Sequence, residues 1–141
     1  MILLTDDLRT RLRANEIARL CAQQTGRPYD PIPAVKFFNP LSAATWLAVE
    51  LRRDGDTLFG LADLGFGCPE LGCFSLSELA SLRLPFGMGI ERDIAFETPH
   101  RLSKWTEWAR RAGSIIHAET LLRRAATGTA PEIPPSETDG G

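Results

Sequence analysis

The chain has 141 residues, 43% of them hydrophobic, and a formal net charge of −2 at pH 7. These values are typical of one globular domain with one core, and they exclude a membrane protein because no run approaches the roughly 18 consecutive apolar residues of a membrane span. The N-terminus has no signal-peptide pattern, so we expect a cytoplasmic protein that does not bind membranes.

The first predicted element is an N-terminal helix. Thr5 has a side-chain oxygen that can cap a helix, and Asp6 and Asp7 follow in the first turn, where the helix dipole favours acids. The apolar residues change phase near Asn15. We therefore predict a break there and a second helical piece that ends at about Gln24.

A short strand and a β-hairpin are predicted next. Val35–Phe38 has the aromatic and β-branched residues of a strand, and Pro40 prevents its continuation as a central strand. Two apolar runs then flank Asp54 and Gly55, a pair that is favoured in two-residue hairpin turns. The two runs should therefore pair as antiparallel strands.

The hairpin also predicts which residues face each other. Leu51 lies opposite Leu58 in the predicted register, and Trp46 lies opposite Asp63. We therefore expect the Asp63 carboxylate to lie beside an aromatic ring on the second face of the sheet.

The last third of the chain predicts three further elements. Ser75 and Glu78 have the spacing of a capping box, which predicts a short helix to about residue 82. Rough alternation over Ile90–Phe96 predicts a strand. An apolar stripe at helical spacing begins at Leu102 and continues to about Ala126, which predicts amphipathic helices that pack on the sheet.

These elements predict an α+β fold with a single antiparallel sheet of about four to five strands, packed by amphipathic helices at the N- and C-termini. Residues 1–126 should form one globular domain. Residues 127–141 are rich in proline, glycine and acids, and they hold too little apolar surface to offset the entropy of ordering. We predict a disordered tail there.

The most unusual segment is the glycine-rich run 59–72, because it places Asp63 and Glu70 among apolar residues. Two such carboxylates could serve as the general acid and general base of a hydrolase if their surroundings held their pKa values apart. Both could equally accept hydrogen bonds from backbone amides and hold the loop in shape. We favour the structural interpretation.

A contact surface for a partner is predicted around the same loop. Trp46 lies opposite Asp63 in the predicted register, and Glu70 follows on the loop. Lys36 lies in the neighbouring strand, where we expect a solvated lysine, although it could pair with Asp63 or Glu50. The candidate binding residues are therefore Trp46, Lys36, Asp63 and Glu70.

Basic residues concentrate in the predicted C-terminal helices. Arginine pairs stand at Arg110 and Arg111 and at Arg123 and Arg124. Their guanidinium groups could bind nucleic-acid phosphates, although a solvated helix face explains them as well. Nucleic-acid binding is therefore an alternative that we do not favour.

No motif in the chain predicts a metal ion or a cofactor. His100 and His117 are too far apart for a local metal-binding motif, and neither has a second ligand at i+3 or i+4. The run Gly65-x-Gly67 is too short for a dinucleotide-binding loop. We therefore expect no metal site and no cofactor.

Six motifs carry a resemblance to a known family: Val35–Pro40, Ala44–Leu47, Phe59–Gly67, Pro69–Gly72, Ser75–Leu79 and Glu91–Asp93. Over roughly residues 2 to 116, the chain resembles a bacterial family that is classed only as a domain of unknown function. Its members look like small soluble proteins that plasmids and other mobile elements often carry. The resemblance assigns no catalytic residue, and it implies an accessory protein that binds a host or plasmid factor.

The sequence therefore predicts a small, non-enzymatic interaction module that binds a protein of the host or the plasmid. A small hydrolase-like enzyme that uses Asp63 and Glu70 is one alternative. The other is a nucleic-acid binder that uses the basic C-terminal helices.

Overall fold

A computed structural model describes residues 2–128 and shows one five-stranded antiparallel sheet with helices at both ends of the chain. The elements are α1 (Asp6–Thr25), β1 (Val35–Phe38), β2 (Thr45–Leu51), β3 (Thr57–Asp63), β4 (Glu70–Ser75), α2 (Leu76–Ser81), β5 (Glu91–Arg92), α3 (Leu102–Ala112) and α4 (Ile115–Ala126). The spatial order of the strands is β4-β3-β2-β1-β5. The predicted α+β class is confirmed.

Both faces of the sheet are buried in its centre, each against its own layer, whereas the outer strand β4 is largely exposed. Trp46 and Phe37 lie in a core on the face that α1 and α2 cover. Leu47, Val49 and Leu61 lie in a second core on the face that α3 and α4 cover. All seven residues of β2 are therefore buried, and the fold has three layers rather than a sheet with one wet face.

Helix α1 is one continuous helix. The Thr5 hydroxyl accepts a hydrogen bond from the Leu8 amide at 3.2 Å, which confirms the predicted cap. The predicted break near Asn15 is wrong, because the helix runs unbroken to Thr25 and ends at Gly26 in a left-handed conformation.

Polar residues on α1 face the sheet, which explains the change of apolar phase. Strand β1 begins only at Val35, opposite Ala48, so the end of β2 has no strand neighbour on that side. There Asn15 donates from Nδ2 to the Val49 carbonyl at 2.7 Å, and Arg13 donates to the Leu51 carbonyl at 2.8 Å. Side chains of α1 thus satisfy backbone groups that a longer β1 would have satisfied.

The predicted hairpin is confirmed, but its register changes part-way along. Leu51 lies opposite Leu58 as predicted, whereas a bulge between Ala48 and Glu50 shifts every pair beyond it by one residue. Asp63 therefore lies opposite Thr45, and Trp46 lies opposite Ala62. The predicted pairing of Trp46 with Asp63 is wrong, and the two side chains point to opposite faces of the sheet.

The hairpin turn is longer than the predicted two-residue turn. The Arg52 amide donates to the Thr57 carbonyl at 2.7 Å, which leaves four residues in the loop. Asp54 closes this loop, because its Oδ1 accepts from the Asp56 and Thr57 amides at 2.9 and 2.8 Å. Hydrogen bonds from the Thr57 hydroxyl and amide, and from the Asp56 amide, lower the Asp54 pKa to about 2.

The C-terminal elements follow the prediction except for one strand. The Ser75 hydroxyl caps α2 by accepting from the Glu78 amide at 3.2 Å. Strand β5 covers only two residues of the predicted Ile90–Phe96, because Asp93 starts a turn in which its Oδ1 accepts from the Ala95 amide at 3.0 Å. Apart from its first two positions, the predicted tail 127–141 lies outside the described residues and stays a prediction.

Candidate functional site

Asp63 lies at the end of β3 and has no exposed surface. Its Oδ1 accepts from the Gly65 amide at 2.9 Å, and its Oδ2 accepts from the Ile115 amide at 2.9 Å. Ile115 is the first residue of α4, whose leading amides lack partners within the helix. The Asp63 carboxylate thus joins the glycine-rich loop to the start of α4.

Glu70 lies in β4 rather than in a loop. It pairs with Ala62 across the strands, and its side chain is exposed. It lines a small cleft together with Cys68 and Arg110. The structure therefore does not bring Glu70 and Asp63 to one accessible surface.

The other two candidate binding residues are held inside the fold. Trp46 is buried in the core beneath α1 and α2. The Lys36 ammonium lies 2.8 Å from the Glu119 carboxylate and 3.6 Å from that of Asp93. Lys36 is therefore neither the solvated strand lysine that we expected nor paired with Asp63 or Glu50.

The two arginine pairs occupy different places. Arg110 and Arg111 end α3 and line the largest cleft that we describe. Arg123 and Arg124 lie exposed in the last turn of α4, where Arg123 is 3.7 Å from Glu119. The two pairs thus stand on separate helices.

The histidines are not brought together with other metal ligands. Among residues 2–128, no group of three or more His, Cys, Asp or Glu side chains is placed to hold a metal ion. Burial, followed by the nearby Lys104 charge, lowers the pKa of His100, which also packs edge-on to Trp105. His100 is therefore part of the packing around α3.

A cleft of about 710 Å³ opens between α3 and the strands β3 and β4. Its apolar wall combines residues of the sheet, of α3 and of the segment before β1. These residues are Pro31, Phe59, Leu71 and Leu102. The volume is within the range of small-molecule sites, roughly 300–1,000 Å³.

A buried carboxylate, Glu50, lies at the inner end of this cleft. Its Oε1 accepts from Arg19 at 3.0 Å and from Arg52 at 2.6 Å, and the Tyr29 hydroxyl lies 2.8 Å from its Oε2. Burial, and then the hydrogen bond to Glu50, raise the pKa of Tyr29 far above its ordinary value. Tyr29 is therefore a neutral hydrogen-bond donor here.

Sequence reasoning missed this Glu50 cluster because its members come from distant segments. One signal was present, since Glu50 is the single charged residue in the apolar strand β2 (Thr45–Leu51). A fully buried charge almost always has a partner, so such a residue predicts a polar cluster. Arg52 directly follows the strand, but Arg19 and Tyr29 lie 31 and 21 positions away and could not be assigned to Glu50 from the sequence.

Asp30 fixes the position of α3 at the rim of the cleft. Its carboxylate accepts from the Ser103 amide at 3.0 Å and from the Ser103 hydroxyl. The Leu102 amide donates to the Pro31 carbonyl at 2.8 Å. The segment before β1 therefore holds the N-terminus of α3 in place.

Large apolar side chains are exposed around β4. Leu64 and Phe66 in the β3–β4 loop are 57% and 82% exposed, and Leu71 in β4 is 42% exposed. β4 is also an outer strand of the sheet. Apolar surface and a sheet edge therefore occur side by side.

A family comparison assigns the chain to a known group, because one family model matches residues 3–116. The chain belongs to the DUF2958 family. DUF2958 proteins have no known function, so the match confirms a domain of unknown function and adds no activity. The matched part of this DUF2958 protein includes the whole sheet and α3.

Two further comparisons and one property of the helices complete the description. No match to this DUF2958 protein was found among curated proteins or among solved structures. Within residues 2–128, every helix is too short or too polar to cross a lipid bilayer. Carriage by plasmids and other mobile elements stays a prediction from the resemblance in sequence.

Proposed function

We propose that this DUF2958 protein is a non-enzymatic interaction module that binds a host or plasmid protein by adding an extended segment of that partner to β4. The observation that carries the proposal is the unpaired outer edge of β4. Carriage by mobile elements, if it holds for this chain, would suit an accessory protein of this kind.

The edge of β4 offers backbone groups that a partner strand can bind. Glu70–Ser75 is six residues long and pairs only with β3, and no other element among residues 2–128 pairs with it. An outer strand carries a row of free N–H and C=O groups, which makes it a template for an added strand. The opposite edge strand, β5, has only two residues and offers much less.

Exposed apolar side chains favour a protein segment as the occupant. Phe66 and Leu64 project from the loop that precedes β4, and Leu71 lies in β4 itself. Main-chain hydrogen bonds would supply affinity, and pockets for alternate side chains would supply specificity. An extended segment with apolar residues on one face matches both features.

The geometry gives less support to the two other hypotheses, a hydrolase and a nucleic-acid binder. A hydrolase needs both carboxylates in one cleft, whereas the Asp63 oxygens are buried and accept backbone amides. Nucleic-acid binding would use arginines that stand on two helices. A gel-shift assay at low salt tests the second alternative directly.

The experiment captures proteins from a bacterial lysate on the immobilised wild type and two variants. Phe66→Ser removes an exposed aromatic ring beside β4. Phe86→Ser is the matched control, because Phe86 is 91% exposed but lies in the turn between α2 and β5. Both variants should fold, since surface changes usually alter stability by about 0.5 kcal/mol or less.

The proposal predicts a specific protein, identified by mass spectrometry, that binds the wild type and Phe86→Ser and is lost with Phe66→Ser. The purified partner must then bind the wild type directly. Recovery of no protein above background would contradict the proposal. Equal recovery by all three proteins would contradict the assignment to β4.

A further inference from the structure

The cleft between α3 and the sheet shares Leu71 with the exposed surface at β4, but strand addition at β4 does not use its other lining residues. Its apolar wall includes Phe59 and Leu71, and its rim carries Arg110 and Arg111. The cleft exists because α3 leaves the β4 end of the sheet partly uncovered, so Leu71 stays 42% exposed. It is therefore an open, preformed depression with an apolar floor and basic groups above it.

Most of the acids that line the cleft already have partners. The Glu50 charge is met by Arg19 and Arg52, each within 3.0 Å. The Asp30 carboxylate accepts from the amide and the hydroxyl of Ser103. The two arginines therefore neutralise Glu50, whereas Ser103 is uncharged and only holds the Asp30 carboxylate in place.

The two arginines at the rim of the cleft are not engaged in ion pairs with the carboxylates of the described residues. Among residues 2–128, no carboxylate lies within the 4.0 Å of an ion pair with Arg110 or Arg111. Glu107, one turn earlier on α3, is the remaining acid of the lining. Even if Glu107 neutralised one guanidinium in solution, the other would still be available to a ligand.

We propose that this cleft binds a small organic anion, with an apolar or aromatic body and a single carboxylate or phosphate group. The body would lie against Phe59 and Leu71, and the oxyanion would meet Arg110 and Arg111. Guanidinium groups suit this task because their planar N–H groups match carboxylate and phosphate oxygens in pairs.

The inner end of the cleft is ordered in advance. Tyr29 and Glu50 are joined by a hydrogen bond of 2.8 Å, and the Arg52 guanidinium stacks 5.3 Å from the centre of the Phe59 ring. A wall held in this way loses little conformational freedom when a ligand arrives, which favours binding.

Isothermal titration calorimetry with three probes of one shape tests the proposal. The probes are 4-nitrobenzoate, 4-nitrophenyl phosphate and the neutral 4-nitrobenzyl alcohol. Both anions should bind at low salt, and the alcohol should bind at least tenfold more weakly. The tighter of the two anions identifies the carboxylate or the phosphate as the natural group.

Two double variants locate the binding. Arg110→Gln/Arg111→Gln should weaken the tighter anion at least tenfold. Arg123→Gln/Arg124→Gln, which changes the basic pair on α4, should leave its affinity within twofold. Circular dichroism confirms that both variants are folded.

Three results would overturn the proposal. They are no binding of either anion at millimolar concentration, equal binding of the alcohol, and equal losses in the two double variants. The proposal does not depend on the strand addition at β4. Phe66→Ser should leave probe binding unchanged, so one proposal can fail while the other survives.

Discussion

Replacement of Asp63 by asparagine tests whether this carboxylate stabilises the fold. In the wild type, its two oxygens accept the Gly65 and Ile115 amides at 2.9 Å each. An asparagine side chain has one oxygen and one NH₂ group. Whichever way it turns, either the buried Ile115 amide or the partly buried Gly65 amide faces a donor instead of an acceptor.

The magnitude follows from the burial of Asp63, which has no exposed surface. A hydrogen bond to a charged group contributes about 1.5 to 3 kcal/mol, and a buried unsatisfied donor costs about 1 to 3 kcal/mol. These two values describe largely the same loss. We expect the Asp63→Asn variant to lose about 1 to 3 kcal/mol of unfolding free energy.

Urea denaturation followed by tryptophan fluorescence measures this loss, with Glu70→Gln as the matched control. Glu70 is exposed, so its amide variant should stay within about 0.5 kcal/mol of the wild type. Hydrogen exchange at the Ile115 amide should also accelerate. If Asp63→Asn were as stable as the wild type or more stable, the structural role would be refuted.

Three further predictions concern the sheet, the hairpin turn and the cleft. Gly60→Ala should destabilise the fold by several kcal/mol in a urea titration, because a Cβ at position 60 would lie 1.8 Å from a backbone oxygen of β2. Gly72→Ala on β4 is the control and should be tolerated, since no atom lies within 4 Å of a Cβ built there. The pKa of Asp54 is lowered to about 2 in the folded protein, so its stabilising effect is present above the unfolded pKa of about 4 and is lost as the pH falls towards 2. The Asp54→Asn variant should therefore lose less unfolding free energy than the wild type between pH 4 and pH 2. An equal dependence of unfolding free energy on pH in the two proteins would contradict the role of the carboxylate. Tyr29 is the one tyrosine of the chain, and its pKa is raised by burial and by Glu50, so absorbance at 295 nm should show no ionisation of the folded protein at pH 10, where an ordinary tyrosine is half ionised. Its stabilising effect should therefore be present below about pH 10 and be lost above it, and half ionisation at pH 10 in the folded state would contradict the burial.

Local sequence signals predicted the parts of the fold that depend on neighbouring residues. The Thr5 cap, the Ser75 cap and the amphipathic helix α3 all involve groups within a few positions of each other. The hairpin between β2 and β3 is of the same kind. The caps, α3 and the presence of the hairpin were correct because their contacts join nearby residues, although the turn length and the register beyond the bulge differ from the prediction.

A bulge inside the hairpin and a contact between distant segments explain the errors in the fold. The bulge next to Val49 is one extra residue, and it moved Trp46 and Asp63 to opposite faces. Asn15 suggested a helix break, but it faces β2 and donates to a backbone carbonyl 34 positions away. A single sequence contains no local sign of either feature.

The candidate site was predicted only in part for the same reason. Asp63 accepts the Gly65 amide of the loop between β3 and β4, as the structural interpretation expected, but it also accepts the Ile115 amide of α4. The cleft, by contrast, joins Arg19, Glu50 and Arg110 from three separate elements. Its composition becomes visible only when the fold places them together.

The most direct test of the central claim is hydrogen–deuterium exchange on the purified complex with the captured partner. Addition of a strand would give the outward amides of β4 (Glu70–Ser75) new hydrogen-bond partners. The account predicts slower exchange in this strand on binding, with no change in β5. Unchanged exchange in β4, with protection elsewhere in the protein, would contradict it.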